Sequence, residues 1–155
     1  MLVTVVLFLM ILAVTGIVFG QAQNGCIRLT GKEYPRYKVG RSELGGKGDS
    51  DQSLLLYISV DPKTLTRDSM IKLAKRIKND FCREKRIQAI IFDQYKIAKR
   101  FVPHPHSKTY AYDMKNMKGG YFLDRTTGEE YISYSIAGKG LADEQKIVLT
   151  HKKQS

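Results

Sequence analysis

The chain holds only two cysteines and three histidines, with no CxxC and none of the paired Cys/His spacings of a structural zinc site. A zinc-stapled scaffold is therefore not indicated. There is no GxSxG, and Cys82 has no histidine beside it in sequence, so the serine and cysteine nucleophile signatures are missing too. Gly40, Gly45, Gly46 and Gly48 are not spaced as GxGxxG and no GK[ST] follows them, which removes the phosphate-cradling loops. RNP, KH and zinc-finger signatures of sequence-specific nucleic-acid recognition are absent as well. No motif implies a cofactor, and none is expected.

Charge is missing from residues 2–19, an apolar run interrupted only by Thr4, Thr15 and Gly16. Such a segment is an export signal or a membrane anchor and does not belong to a globular core. Gly20 and Ala22 place small residues at the −3 and −1 positions of a cut after Ala22, the small-x-small rule of signal cleavage. No Lys or Arg precedes the run, and its length just reaches a membrane span, so an anchor formed by residues 2–19 stays open. Arg28, Lys32, Arg36, Lys38 and Arg41 follow closely, a flank that the positive-inside rule would hold in the cytoplasm. The expectation is a secreted or envelope protein, with residues 1–22 as signal peptide or N-terminal anchor.

All the charge lies in the remaining residues, with 26 Lys and Arg against 15 Asp and Glu and a formal net charge of +11. That excess attracts polyanions without naming one. About 130 residues suffice for one domain with a real core and are too few for two comfortable ones. Residues 23–53 read as a basic, glycine-rich linker. Cys26 and Cys82 permit one disulfide in an exported chain, and a half-buried small hydrophobe explains Cys82 equally well.

A single α+β domain is expected over residues 54–150, with 151–155 as a frayed tail. Leu54, Leu56, Ile58 and Val60 are apolar on one parity of a strand that Asp61-Pro62 terminates. Thr66 then caps a helix whose Met70, Leu73, Ala74, Ile77 and Phe81 share one arc. Ile87 to Phe92 is apolar on both parities except at Gln88, the pattern of a central strand. This is a β-α-β unit, and its two strands run parallel if they share a sheet.

Asp93 is placed to cap a short helix over residues 94–101 that Pro103 stops. An antiparallel hairpin follows around Asp124 to Gly128, and a last strand covers residues 146–150. The reading is a mixed sheet of four or five strands with one long helix packed on it. Its expected core comprises Leu56, Ile58, Met70, Ala74, Ile77, Phe81, Ile90, Phe92, Phe122 and Ile132.

Two site readings follow. Lys72, Lys75, Arg76 and Arg83 on the outer face of the long helix, with Lys96, Lys99 and Arg100 on the short one, form a candidate surface for an anionic polymer or membrane. A merely solvated basic face accounts for the same residues. Lys108, Lys115 and Lys118, interleaved with Tyr95, Phe101, Tyr110 and Tyr112, add a basic-aromatic mixture of the kind that single strands or anionic glycans use. Whether the two helices share a face, and so merge these cations into one patch, is not legible in the pattern, nor is the oligomeric state. The alternative is a metal-dependent hydrolase of a phosphate-bearing substrate through Asp61 and Asp93 at the strand ends, with His104 and His106. Turn formation by Asp61 and helix capping by Asp93 would explain both carboxylates without a metal.

Sequencing the N-terminus of the mature protein should give Gln23 as its first residue. Intact Met1 in a soluble cytoplasmic fraction would overturn the export reading.

Overall fold

The computed structural model describes Cys26, Leu29 and residues 31–46, 52–135 and 144–150. The leader, the tail and the glycines at 48, 138 and 140 lie outside the described residues, and so does most of the arm before Gly31. Six strands form one mixed sheet whose spatial order is the chain order: β1 (Tyr37–Gly45), β2 (Ser53–Val60), β3 (Arg86–Phe92), β4 (Met117–Asp124), β5 (Glu129–Ser135) and β6 (Glu144–Thr150). β2 and β3 pair in parallel, and every other neighbouring pair is antiparallel. Helix α1 (Arg67–Asp80) is the crossover between the parallel strands. Two short helices, α2 (Tyr95–Arg100) and α3 (Tyr110–Lys115), lie between β3 and β4.

Alternation along β2 and β3 sends side chains to two separate cores. On the first face Leu56, Ile58, Val60, Ile87 and Ile91 meet Met70, Leu73, Ala74 and Ile77 of α1. On the second, Tyr57 and Phe92 meet Ile97, Ala98 and Phe101 of the α2 region, with Tyr110 and Met114 of α3 at the margin. β2 is thus covered on both sides from Leu56 onward, more completely than its parity suggests. Thr66 caps α1 as expected, its hydroxyl accepting from Ser69 N at 3.3 Å. Each of these large aliphatic side chains contributes roughly 1.5–3 kcal/mol through burial.

The linker expected over residues 23–53 is corrected by β1. Tyr37 and Val39 lie opposite Val60 and Ile58, and after a register shift between Val39 and Arg41 the partners become Ser42 with Leu56 and Leu44 with Leu54. That bulge inverts the apolar parity midway, so neither half of the segment is long enough to show a strand period. Gly40 occupies the bulge where α2 crosses β1. A Cβ there would stand 2.5 Å from the backbone of Ala98 and Lys99, so only glycine permits this approach.

Three expected core residues are also revised. Phe81 and Ile90 are half-buried at the margins of the two cores. Phe122 points away from α1 and stacks on Tyr131 at 5.2 Å, because it pairs with the outward Gln88 while Tyr121 and Leu123 pair with Ala89 and Ile87 of the first core. Asp93 does not cap α2, whose N-cap residue is Gln94; that side chain makes no capping bond and donates instead to Asn116 Oδ1 at 3.1 Å. Asp93 forms an ion pair with Lys118 at 3.2 Å.

Buried polar groups tie the layers together. Glu130, only 4% exposed, accepts from Lys78 Nζ of α1 at 2.6 Å and from the Tyr121 hydroxyl at 3.0 Å. Burial first, and the Glu130 carboxylate second, push the Tyr121 phenol well above the usual tyrosine range. Cys26 and Cys82 form a disulfide with a Cα–Cα distance of 5.6 Å, fastening the N-terminal arm to the turn after α1. Asp124 organises the β4–β5 turn: its Oδ1 accepts from the backbone N–H groups of Thr126 (2.8 Å) and Thr127 (3.3 Å), and its Oδ2 from Arg86 Nε (2.8 Å). Gly128, with φ of 74°, closes the turn in the left-handed region.

Burial alone would raise the Asp124 carboxyl, but the bonds from Thr126, Arg86 and Thr127 outweigh it and hold the pKa below the ordinary value. A folded pKa below the unfolded one makes this contribution complete above the unfolded value, and it is lost as pH falls through the folded one. Asp124→Asn should therefore lower stability by about 1–2 kcal/mol at neutral pH. In urea titrations followed by circular dichroism, the deficit should shrink as the pH falls below the ordinary aspartate value of about 4 and through the lower folded one.

Candidate anion-binding surface

The two helices carrying the expected cations sit on opposite faces of the sheet, since α1 packs on the first core and α2 on the second. Lys72 and Lys75 are exposed on the outer side of α1, and Arg83 is exposed in the turn that follows it. Lys96, Lys99 and Arg100 are exposed on α2, across the sheet. The seven do not form one patch.

Arg76 departs from the expected outer face. Its guanidinium lies over the Tyr37 ring at 5.7 Å, donates to Pro35 O at 3.3 Å and stands 3.6 Å from the Asp80 carboxylate. Tyr37 in turn donates its hydroxyl to Asp80 at 2.7 Å. Arg76 thus clamps the chain entering β1 onto α1, and a buried, shared guanidinium is poorly available to a ligand.

On the second face the charges separate more sharply. Asp113 of α3 is buried and holds Arg100 Nη2 at 2.8 Å. Lys118 and Asp93 form a largely buried pair, with side chains 12% and 17% exposed, so Lys118 is withdrawn from the surface. Lys96, Lys99, Lys108 and Lys115 remain exposed, and no acidic side chain other than the buried Asp113 occurs between residues 94 and 118. Tyr95 and Tyr112 are exposed in the same layer, while Phe101 is buried and stacks with the half-buried Tyr110 at 6.2 Å. The cap built by α2, α3 and their connection is therefore a lysine-rich, aromatic-bearing surface whose one carboxylate is internal.

Asp61 and Asp93 do come together, lining a pocket of about 330 Å³ just beyond the carboxyl ends of the parallel strands with Arg36, Lys38, Ser59 and Tyr95. Asp61 Oδ1 accepts from Lys63 N at 2.9 Å, a turn-capping role, and Asp93 is engaged by Lys118. His104 and His106 are exposed in the loop after α2 and do not line this pocket, and His104 Nδ1 accepts from His106 N at 3.3 Å. Among the described residues no group of three His, Cys, Asp or Glu side chains is arranged to hold a metal. Arg36 and Lys38 join this pocket because β1 is a strand, and the bulge that hid β1 hid them as well.

Among the described residues no helix is long and apolar enough to cross a membrane. Comparison with protein-family models, curated proteins and solved structures returns no match for this chain.

The Arg100–Asp113 pair anchors α3 to α2, and removing the arginine leaves a buried carboxylate without its counter-charge. Breaking a fully buried pair costs about 3–5 kcal/mol. Arg100 is half exposed, so Arg100→Met should cost only about 1–2 kcal/mol. In amide hydrogen exchange the α3 amides should lose protection first.

Proposed function

We propose that this domain is an exported or envelope-associated basic module that binds an anionic polymer or surface through the α2–α3 cap and performs no chemistry of its own. The observation that carries this reading is the arrangement of charge on the cap. Lys96, Lys99, Lys108 and Lys115 are exposed, while its only acidic residue, Asp113, is buried against Arg100. Attraction to a polyanion is then not cancelled locally, and Tyr95 and Tyr112 add exposed rings on which bases or sugars can rest. Lys72 and Lys75 of α1 form a second, separate cationic surface on the far side of the sheet. The apolar leader and the Cys26–Cys82 disulfide support the export part of the reading, since disulfides persist in oxidising compartments. The rival hydrolase through Asp61, Asp93, His104 and His106 gains no support from a donor set in which one carboxylate caps a turn, the other is paired and the histidines lie apart.

Binding to a 20-mer single strand, to duplex DNA and to anionic vesicles should be titrated against salt. The expected slope of log affinity on log salt for the single strand is about −2 to −3, from three or four phosphates neutralised at roughly −0.7 each. Replacing Lys96, Lys99, Lys108 and Lys115 together by alanine should flatten that slope, whereas Lys72→Ala with Lys75→Ala should leave most of it. No measurable binding to any of the three at physiological salt would reject the proposal.

A further inference from the structure

The second face of the sheet is only half covered. α2 lies over β1, β2 and β3 and α3 against the start of β4, and toward β5 and β6 the same face carries an open groove of about 470 Å³. Its floor is cut by the missing side chain of Gly120, which lies opposite Ser133 in the ladder. One wall is a row of cross-strand neighbours running Gln88, Phe122, Tyr131. Phe122 and Tyr131 stack at 5.2 Å with an interplanar angle of 24°, and Lys146 Nζ sits 3.7 Å above the Tyr131 ring. Glu144 lines the groove two residues before Lys146 on β6.

We propose that this groove binds an uncharged, hydroxylated ring, the chemistry of a saccharide unit. Three of its polar groups are unspent, while the Ser133 hydroxyl donates to Gly120 O at 3.4 Å. The Gln88 amide, the Tyr131 hydroxyl and the Glu144 carboxylate make no hydrogen bond or ion pair among the described residues, whereas Asp80, Asp93, Asp113, Asp124 and Glu130 are all engaged. Together they offer donors, acceptors and both signs of charge around an aromatic wall, which is how a polyol is held and oriented. A carboxylate in the lining disfavours phosphate. The Tyr131 ring is already covered by Phe122 on one side and Lys146 on the other, so it has no open face for a nucleobase to stack on. What remains accessible is the Phe122 edge of the stack and the glycine floor, suited to the C–H patch of a sugar ring whose hydroxyls reach the amide and the carboxylate. None of these residues belongs to the cap, so this site and the electrostatic one stand or fall separately.

The test is saturation-transfer NMR and calorimetry on the full domain with maltotetraose, cellotetraose and chitotetraose, with a decathymidylate as the competing chemistry. At least one saccharide should bind with a dissociation constant of about 0.1–1 mM, and its affinity should be independent of salt because no counterions are released. Tyr131→Ala and the conservative surface change Gln88→Ala should each weaken it by about tenfold or more, and the quadruple cap-lysine variant should not. Gln88 is exposed, so that variant reads the site even where Tyr131→Ala perturbs the sheet. Failure of all three saccharides, saccharide binding indifferent to Gln88→Ala, or decathymidylate binding that depends on Tyr131 would each overturn the proposal.

Discussion

β2 and β3 are apolar on both faces, and a parallel pair buried on both sides must have a layer of helix above it and another below. The rest of the architecture is a response to that demand. α1 covers the first face because a parallel connection has to cross over the sheet, and its Met70, Leu73, Ala74 and Ile77 supply the matching stripe. The second face is closed less economically, by a short helix, a looped segment and another short helix that together bring Ile97, Ala98 and Phe101 onto Tyr57 and Phe92. The lysines of that second layer are exposed because its apolar side chains are committed inward. The proposed binding surface of the cap and its structural role thus lie on opposite sides of the same helices.

The parts legible in the sequence were those with uninterrupted periodicity. β2, α1 and β3 show it over seven or more residues, and the β4–β5 turn announces itself through Asp124 and Gly128. The segments that stayed hidden share a local break in pattern. In β1 the bulge at Gly40 moves the apolar set from one parity to the other, so a strand that turns the half-buried Tyr37 and the exposed Leu44 to the same side resembles a charged tether. Phe122 was misplaced because Tyr121-Phe122-Leu123 are apolar on both parities, and only their pairing with Ala89, Gln88 and Ile87 decides which of them face inward. α3 is too short to display a helical stripe, and it is held by the Asp113–Arg100 pair and the Phe101–Tyr110 contact, both of which are tertiary.

The candidate site was legible as a list and not as a geometry. Lys72, Lys75, Lys96 and Lys99 are exposed as their helical positions imply. That they fall on two surfaces depends on which face each helix covers, and helix amphipathicity is silent on that. Arg76 shows the same limit from the other side: its position on the wheel is outward, yet the chain leading into β1 passes over it and recruits it into contact with Tyr37 and Asp80. A cation's availability is decided by what else crosses the helix, which is long-range information.

The identity between strand order and chain order bears on how the domain assembles. Each strand lies beside its predecessor in the chain, so no pairing has to wait for a distant segment, and the loop closures that slow β-rich folding are short apart from the α1 crossover and the α2–α3 excursion. A chain emerging amino end first, whether from a ribosome or from a translocation pore, could add strands to a growing edge in sequence. Cys26 and Cys82 both precede β3, so their covalent closure requires nothing from the second half of the domain. Vectorial, edge-by-edge growth is a route that a strand order with swapped neighbours would forbid.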